Sequence, residues 1–371
     1  MVFRFSSPES DRTAVERAIA ELRMARPVFL VGGDEVALVQ SVEDFDAEQA
    51  ARLDAASVRQ GRLVLPAARL RRLGYERQQN GWIGLPTLDA RRIATLAFSL
   101  DARLDAPVRP TGRLDEAALE LARLALSLPA VVVMPLPENS EVDGSVLRVT
   151  AEAVDGYRAG RVGDLKIVGR APVPLDEAPE TEFVVFRGGE GLRDQVAVVV
   201  GQPDLSGPVT VRLHSACLTG DLFGSLKCDC GDQLRSSVRW MAEHGGGILL
   251  YLDQEGRGNG IANKIRAYRL QAQGYDTYDA DEMLGFGPDQ RRFDFAAVML
   301  RQLGVTRVTL ITNNPDKIEA LTHAGIEVVS RQRAVGRATA ENLGYLSTKR
   351  DRAGHMIDLD GVPSGEGQPA K

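Results

Sequence analysis

The chain has few cysteines and lacks long apolar runs. It has three cysteines and four histidines in 371 residues, and all three cysteines lie between positions 217 and 230. Three cysteines cannot all pair within one chain, which argues against a disulfide framework. No apolar run approaches the roughly 20 residues that cross a bilayer, and the opening Met1–Arg12 lacks the apolar core of a signal peptide. We therefore expect a cytoplasmic protein.

An excess of positive charge is also missing. The 45 Lys and Arg residues face 51 Asp and Glu residues, which gives a net charge of −6. Proteins that bind bulk DNA or RNA carry broad basic surfaces, so we expect neither a nucleic-acid nor a membrane partner. A local basic pocket for a small anion remains compatible with this balance.

The length predicts about two domains, each with its own core. We predict an α/β (α+β) fold in which each domain is a mixed sheet with packed helices. A proline-rich stretch separates them, because proline interrupts both helices and strand ladders. The predicted parts are a first domain at 1–170, a linker at 171–181, a second domain at 182–350 and a flexible, Gly-, Pro- and Ser-rich tail at 351–371.

The second domain is expected to open with antiparallel strands and to end in a parallel βαβ unit. The strand at Val308–Thr312 is followed by Asn313-Asn314-Pro315, a helix start, and by a further strand at Ile326–Val329. We also expect a helix to begin at Gly287-Pro288, since proline suits the first helical position. That helix would carry Asp289 and Arg291 in its first turn.

The cysteines predict a metal centre. Cys217, Cys228 and Cys230 lie in a polar, glycine-containing segment where three thiolates could bind one ion. Zinc is the metal that such ligands suit, and three protein ligands leave the fourth position open, as in catalytic zinc sites. A structural site would need a fourth ligand, for which His214 is the candidate. The remaining alternative is that these residues are small buried hydrophobic side chains.

Four cations lie where the predicted loops and helix starts would place them near an anion. Lys317 and Arg291 fall in first helical turns, where a carboxylate would suit the helix dipole better, and Arg212 and Arg257 end or follow predicted strands. Each alone could be an ordinary surface cation, whereas together they predict a phosphorylated substrate. The run Gly256–Gly260 does not match the dinucleotide fingerprint, which argues against a nicotinamide site.

From about Glu182 to Tyr345 the sequence resembles GTP cyclohydrolase II, the zinc enzyme that opens the guanine ring of GTP for riboflavin synthesis. The resemblance is dense and covers most of the second domain. The motifs that carry it are Arg212–Ser215, Cys217–Asp221, Cys228–Gly231, Gln254–Arg257, Asn263–Tyr268, Gly274–Thr277 and Leu310–Pro315.

This resemblance implies one zinc ion per chain, held by Cys217, Cys228 and Cys230, whose bound water attacks C8 of guanine, with Mg²⁺ on the triphosphate. The implied products are 2,5-diamino-6-hydroxy-4-(5-phosphoribosylamino)pyrimidine, formate and diphosphate. Asp289 is implied as the proton acceptor, Arg291 as the group that attacks the α-phosphorus, and Tyr268 as the residue that orients water. The implied nucleotide contacts are Arg212, Leu213, His214, Ser215, Gln233, Glu255, Gly256, Arg257, Thr277, Thr312 and Lys317.

The chain departs from the family pattern at three places. Ala216 stands where Glu is usual, Leu252-Asp253 where a His-Arg pair is common, and Gly258-Asn259-Gly260 where Asn-Ile-Gly is usual. The lost carboxylate at 216 could change the choice of nucleotide. Two alternatives therefore stay open: a hydrolase that opens another purine or pyrimidine nucleotide, and a non-catalytic nucleotide-binding homologue with structural zinc.

The first domain resembles, more faintly, 3,4-dihydroxy-2-butanone 4-phosphate synthase, the usual fusion partner of this cyclohydrolase. That enzyme holds magnesium with a dense acidic loop, yet here Gly32–Leu38 keeps only two acids, and Arg113 stands where a proton-transferring histidine is expected. All four histidines lie in the second domain. We therefore expect an inactive first domain kept for folding, dimerisation or regulation, and a homodimer as the assembly.

Overall fold

The computed structural model describes residues 7–56, 60–76, 78–137, 140, 144–189, 194–287, 289–334, 336, 339, 342, 347, 350–352 and 356. The chain divides into two compact units. The first unit contains Met1–Arg161, Glu190–Leu192 and Ala262–Gln290, and the second contains Val162–Gly189, Arg193–Ile261 and Arg291–Lys371. Each unit holds a mixed sheet of seven strands with packed helices, which confirms the predicted fold class.

The first sheet has the strand order β5-β4-β3-β6-β2-β1-β7. Its pairs are antiparallel except β1 with β7. The strands are β1 (Val28–Gly32), β2 (Glu35–Ser41), β3 (Gly61–Leu65), β4 (Gly81–Leu85), β5 (Val108–Pro110), β6 (Val131–Leu136) and β7 (Arg148–Thr150). The helices before, between and after them are α1 (Ser7–Arg23), α2 (Ala47–Ala56), α3 (Ala67–Arg72), α4 (Ala90–Phe98), α5 (Arg113–Leu124) and α6 (Ala151–Val162).

Both faces of this sheet are buried, because its strands are apolar at successive positions rather than at alternate ones. Leu30 and Val133 belong to the core formed with α1, α5 and α6, whereas Phe29 and Val132 belong to the core formed with α2, α3 and α4.

The second sheet has the strand order β14-β13-β11-β12-β10-β9-β8. Its strands are β8 (Lys166–Pro172), β9 (Thr181–Arg187), β10 (Gln195–Val200), β11 (Val209–Ser215), β12 (Gly247–Leu252), β13 (Arg307–Ile311) and β14 (Glu327–Gln332). Its antiparallel pairs are β8 with β9, β9 with β10 and β10 with β12, and its parallel pairs are β12 with β11, β11 with β13 and β13 with β14. The antiparallel opening and the parallel βαβ ending are therefore confirmed.

Of the two helix starts predicted in the second half of the chain, one is confirmed and one is not. The later helices are α7 (Leu218–Asp221), α8 (Cys230–Glu243), a 3₁₀ helix (Glu255–Gly258), α9 (Ile261–Gln271), α10 (Thr277–Met283), α11 (Asp294–Gln302) and α12 (Pro315–His323). The start of α12 is as expected, since Pro315 is its first residue and the Asn314 side chain accepts a hydrogen bond from the Asp316 amide.

The helix expected from Pro288 begins only at Asp294, so the prediction was wrong at Asp289 and Arg291. Pro288 lies outside the described residues, and 289–293 form no helix. Asp294 is a better first residue, because its carboxylate suits the positive end of the helix and pairs with the Arg292 guanidinium. The Arg292 carbonyl accepts a hydrogen bond from the Gln254 amide, which holds it outside the helix.

The segment 171–181 was expected as a linker between domains. In the structure it connects two paired strands of the second sheet. β8 reaches Pro172, β9 begins at Thr181, and a bridge joins Leu175 to Ala178 between them. Pro172 is tolerated because β8 is an edge strand. Most of the predicted tail, 353–355 and 357–371, lies outside the described residues.

Helices in the described part of the chain are too short or too polar for a membrane span.

Candidate active site

The candidate site of the second unit lies at the carboxyl ends of three neighbouring parallel strands. β13, β11 and β12 lie side by side, and parallel strands bring their carboxyl ends to one edge of the sheet. Cys217 follows β11, Glu255 follows β12, and Thr312 follows β13. Ligands bind at this edge in open α/β sheets, so the topology collects the predicted motifs of this unit in one place.

The structure brings the predicted cysteines together. The Sγ atoms of Cys217, Cys228 and Cys230 all lie within 4.8 Å of one another, and those of Cys217 and Cys228 are 3.6 Å apart. A tetrahedral zinc ion with Zn–S bonds of about 2.3 Å separates its sulfurs by about 3.8 Å. The spacing of the thiols therefore fits a zinc ion.

A glycine makes room for this cluster. A Cβ atom on Gly220 would lie 2.7 Å from the Cys228 Sγ atom and 3.1 Å from the Cys217 Sγ atom. A Cβ on Gly231 would lie 2.3 Å from the Gly220 carbonyl oxygen. The two glycines therefore allow α7 and the start of α8 to approach closely enough for the three thiols to meet.

The thiols are also electrostatically suited to a cation. Hydrogen bonding with the Cys217 thiol raises the pKa of the Cys228 thiol. Three thiolates this close repel one another, and a divalent cation among them would reverse that effect and favour the deprotonated form. The donor set therefore fits zinc by its chemistry as well as by its spacing.

Asp221 connects the first cysteine to two aromatic side chains. Its carboxylate accepts hydrogen bonds from the Cys217 amide at 2.9 Å and from the Tyr251 hydroxyl at 3.0 Å. The His214 Nε2 atom lies 3.0 Å from the same carboxylate, and the His214 ring stacks on Tyr251. Burial lowers the pKa of His214 and raises that of Tyr251, so both rings are neutral at neutral pH.

This contact argues against His214 as a fourth metal ligand. Its Nε2 atom is engaged by Asp221, and the metal-ligand cluster found among the described residues consists of the three cysteines. A three-ligand site with an open position is the arrangement of catalytic zinc. The geometry therefore favours the open site over the structural cage.

A buried arginine lies beside the cysteine loop. The Arg212 guanidinium donates to the Ile311 carbonyl at 3.0 Å and to the Gln233 side-chain oxygen at 2.6 Å. The Gln233 amide donates in turn to Asp229, which lies between the last two cysteines. Burial lowers the pKa of Arg212 to about 10, so the side chain stays charged at neutral pH.

Four polar atoms of this unit, in side chains that are at most 5% exposed, are buried without a hydrogen-bond partner among the described residues. They are the Arg212 Nε, His214 Nδ1, Asp229 Oδ1 and Asn314 Nδ2 atoms. Folded proteins rarely leave buried polar atoms unpaired, because each costs about 1–3 kcal/mol. Such atoms at one sheet edge indicate a polar ligand.

Two further cations approach one aromatic ring in the same unit. The Lys317 Nζ atom lies 5.3 Å and the Arg291 guanidinium 5.6 Å from the centre of the Phe293 ring. Lys317 is 5% exposed and donates to the Leu213 carbonyl at 2.7 Å. The charge of Arg291 contributes to the lowered pKa of Arg212, so these cations share one field, which favours an anionic ligand.

The loop after β12 has a backbone that is uncommon for its residues. Gly256 and Arg257 both have positive φ angles, 62° and 59°, and Arg257 is not a glycine. The Glu255 carboxylate accepts the Leu218 amide at 2.5 Å and the Gly256 amide at 2.9 Å, which ties this loop to the cysteine loop. Strained backbone of this kind is concentrated at functional sites.

Three other predicted contact residues, Thr312, Ser215 and Leu213, are engaged or buried within the second unit. The Thr312 hydroxyl accepts the Asn314 amide at 3.0 Å and thereby shapes the turn into α12. Ser215 donates to the Gln254 side chain at 3.4 Å, and Leu213 lies fully in the core. Leu213 can therefore reach a ligand only through its backbone.

Three of the predicted residues belong to the first unit. Tyr268 lies on α9, Thr277 is the first residue of α10, and Asp289 follows α10. The Tyr268 ring lies 5.8 Å from the Lys264 Nζ atom. The other predicted residues, including Arg291 and the three cysteines, belong to the second unit.

The sequence reasoning missed Asp221 and Tyr251 as functional residues. Asp221 is the last residue of the motif Cys217–Asp221. One turn of helix separates it from Cys217, and at this spacing a carboxylate can accept a hydrogen bond from the Cys217 amide. That spacing was the available signal. No local pattern pointed to Tyr251, because its partner Asp221 lies 30 residues earlier in the chain, at the end of α7.

The chain is similar to known proteins over most of its length. The family model of GTP cyclohydrolase II matches residues 166–333. A protein of Xylella fastidiosa described as GTP cyclohydrolase-2 is 48% identical over 356 residues, which cover 94% of this chain and 88% of that protein. The chain belongs to the GTP cyclohydrolase II family. The candidate site of the second unit lies inside the region that the family model matches.

Other members of the GTP cyclohydrolase II family are shorter. An Escherichia coli protein described as GTP cyclohydrolase-2 is 48% identical over 199 residues, which cover 52% of this chain and 98% of that protein. About half of this chain thus matches nearly all of a family member. Among solved structures, a two-domain 3,4-dihydroxy-2-butanone 4-phosphate synthase from A. baumannii covers 87% of this chain and 99% of its own, at 17% identity and a TM-score of 0.32.

Proposed function

We propose that the protein is a zinc-dependent GTP cyclohydrolase II of riboflavin biosynthesis. It would convert GTP to 2,5-diamino-6-hydroxy-4-(5-phosphoribosylamino)pyrimidine, formate and diphosphate. The observation that carries the proposal is the cluster of three thiols at zinc-compatible spacing beside buried cations. Zinc held by Cys217, Cys228 and Cys230 would supply Lewis-acid activation of water at neutral pH.

The side chains of the second unit suit a nucleotide triphosphate. Arg212 and Lys317 are buried cations that can neutralise phosphate oxygens, and the proposed role of Arg291 is attack on the α-phosphorus. His214, held by Asp221 through Nε2, presents Nδ1 as a hydrogen-bond acceptor, which suits an N–H or O–H group of the substrate. Mg²⁺ on the triphosphate would offset its remaining charge.

The remaining proposed roles come from the family motifs. Asp289 is proposed as the proton acceptor and Tyr268 as the residue that orients water. Besides Arg212, His214 and Lys317, the proposed nucleotide contacts are Ser215, Gln233, Thr277, Leu213, Glu255, Gly256, Arg257 and Thr312. The homodimer expected from the sequence stands as part of this proposal.

One assay tests the proposal. The purified chain is incubated with GTP and Mg²⁺ while formate, diphosphate and the pyrimidine absorbance are followed, and zinc is measured per chain. We expect one zinc per chain and equal amounts of formate and diphosphate. Cys228→Ser should abolish formate release while the unfolding temperature falls only slightly. If the zinc were structural, the same variant would not fold. A folded, zinc-loaded chain that releases no formate would refute the proposal.

A different nucleotide is the second candidate, because two departures from the family pattern meet in the structure. The Ala216 amide donates to the Leu252 carbonyl at 2.8 Å, and the next residue, Asp253, is held by the Gln195 side chain. The carboxylate usual at 216 and the His-Arg pair common at 252–253 are thus both missing at one place. Competition of GTP with other purine and pyrimidine triphosphates would detect a changed preference.

We further propose that the first unit lacks synthase activity. Arg113, at the position expected for histidine, pairs with Glu152 at 2.7 Å and with Asp155 at 3.2 Å, so it serves as an ion-pair partner. Of the two acids of the early loop, Asp34 lies in the tight turn between β1 and β2 and Glu35 is the first residue of β2, and both are exposed. Formate released from ribulose 5-phosphate with Mg²⁺ would overturn this part of the proposal.

A further inference from the structure

The segment Ala262–Gln290 follows the second unit in sequence but packs as part of the first. It carries α9 and α10, and with them Tyr268, Thr277 and Asp289. Its contacts within the first unit lie at both of its helices and after the second of them. They therefore show what holds this segment in place.

The start of α9 is fixed by side-chain hydrogen bonds. The Asn263 amide donates to the Leu126 carbonyl at 2.9 Å, at a residue that has a positive φ angle. Arg266 donates to the Glu43 carboxylate at 2.7 Å, and the same Glu43 oxygen accepts the Leu128 amide at 2.6 Å. One carboxylate thus ties α9 to the turn that follows α5.

The end of α10 is held by a buried arginine of α3. Arg69 is 2% exposed, and its guanidinium donates to the Met283 carbonyl at 3.2 Å. The same group donates to the Leu96 carbonyl at 2.8 Å and to the Ser99 carbonyl at 2.7 Å at the end of α4. Because helix carboxyl ends carry partial negative charge, one cation joins the ends of two helices.

Ion pairs and packing complete the attachment. Arg72, also on α3, pairs with Asp279 at 2.6 Å and with Glu282 at 2.9 Å. Phe286, just after α10, is 5% exposed and belongs to the core that includes Phe29 and Leu70. The backbone at the turn after α10 also packs closely against α3, because a Cβ atom on Gly285 would lie 2.9 Å from the Pro66 ring.

From these contacts we propose that the first unit is a working part of the cyclohydrolase: it holds the segment that carries Tyr268, Thr277 and Asp289, and Arg69 is the positioning residue at its centre. The inference rests on the proposed function, since it uses the roles assigned there to these three residues. It gives a domain without synthase chemistry a part in GTP turnover.

The full-length variant Arg69→Lys tests the inference, because it keeps the charge but cannot reach the carbonyls of two helices at once. The matched control is Arg62→Lys, since Arg62 lies in the same unit and pairs with Asp115, away from the segment. We measure hydrogen exchange in peptides from 277–287, kcat and KM for GTP, and zinc per chain.

For Arg69→Lys we expect faster exchange in these peptides and a fall in kcat of about 10- to 100-fold, as when a reacting group is displaced by about 1 Å, with zinc per chain unchanged. Arg62→Lys should leave all three at wild-type values. Faster exchange with unchanged kcat and KM would overturn the inference, and so would unchanged exchange. A wild-type chain that releases no formate would instead overturn the proposed function.

If Arg69→Lys does not fold, Arg72→Ala carries the same test with a smaller perturbation, because its two ion pairs are partly exposed. We expect exchange in 277–287 to rise and kcat to fall by about twofold. Arg72→Lys should restore both values. A kcat that does not follow the exchange rate across these variants would refute the positioning role.

Discussion

The glycine at the thiol cluster allows a sharp prediction. In Gly220→Ala the new Cβ would lie 2.7 Å from the Cys228 Sγ atom and 3.2 Å from the Cys230 Cβ atom. Non-bonded carbon contacts lie at about 3.5–4.0 Å, so the sulfur or the helix must move by about 1 Å. Metal ligands tolerate displacements of about 0.2 Å.

We therefore expect Gly220→Ala to weaken zinc binding by about 10- to 100-fold, the range seen when the supports of a metal ligand are lost. The overpacking itself should lower the free energy of unfolding by about 1–3 kcal/mol. Zinc affinity is measured by competition with a chromophoric chelator, and stability by urea unfolding with and without zinc.

Gly156→Ala is the matched control, because Gly156 lies in α6 and a Cβ atom added there would meet no neighbouring side chain within 4 Å in the described part of the chain. Exposed helix interiors gain up to about 1 kcal/mol from this change, so the control should be slightly more stable and bind zinc normally. Wild-type zinc affinity in Gly220→Ala would show that the three sulfurs do not bind the metal in the arrangement described above.

Three other changes test the remaining structure. In Asp221→Asn, the Cys217 amide or the Tyr251 hydroxyl loses its charged acceptor. The free energy of unfolding, measured with urea, should fall by about 1–3 kcal/mol. Leu250→Ala, in the fully buried centre of β12, should lower it by about 2–5 kcal/mol. Burial raises the pKa of the Asp115 carboxyl, although the Arg62 charge opposes this. The free energy of unfolding should therefore fall as the pH rises from about 4, the pKa of an unfolded Asp, through the higher pKa of the folded state. In Asp115→Asn this pH-dependent fall should be absent from urea unfolding curves.

Local signals in the sequence were sufficient for most of the fold. The start of α12 was predictable because Asn314 and Pro315 are a capping residue and a first helical residue in series. The cysteine cluster was predictable because every cysteine of the chain lies there. Both depend on neighbours in sequence, which a pattern can record.

What the sequence did not reveal depends on distant contacts. Pro288 is a plausible helix start, yet α11 begins at Asp294, where the Arg292 carbonyl is held by Gln254. Likewise, nothing near Thr277 indicates that its helix packs in the first unit, because the contact with Arg69 joins residues about two hundred positions apart. Tertiary contacts of this kind decide between local alternatives that are close in free energy.

The arginine at position 69 also bears on what the first unit does. A buried cation without a carboxylate partner is costly, and a leucine or methionine would fill the same volume without that penalty. If the first unit only added hydrophobic bulk, an apolar side chain would serve better. A guanidinium instead fixes the relative position of the carbonyls that it binds, here those of Leu96, Ser99 and Met283. Its presence therefore argues that the defined placement of α10, rather than mere burial, is what this side chain provides.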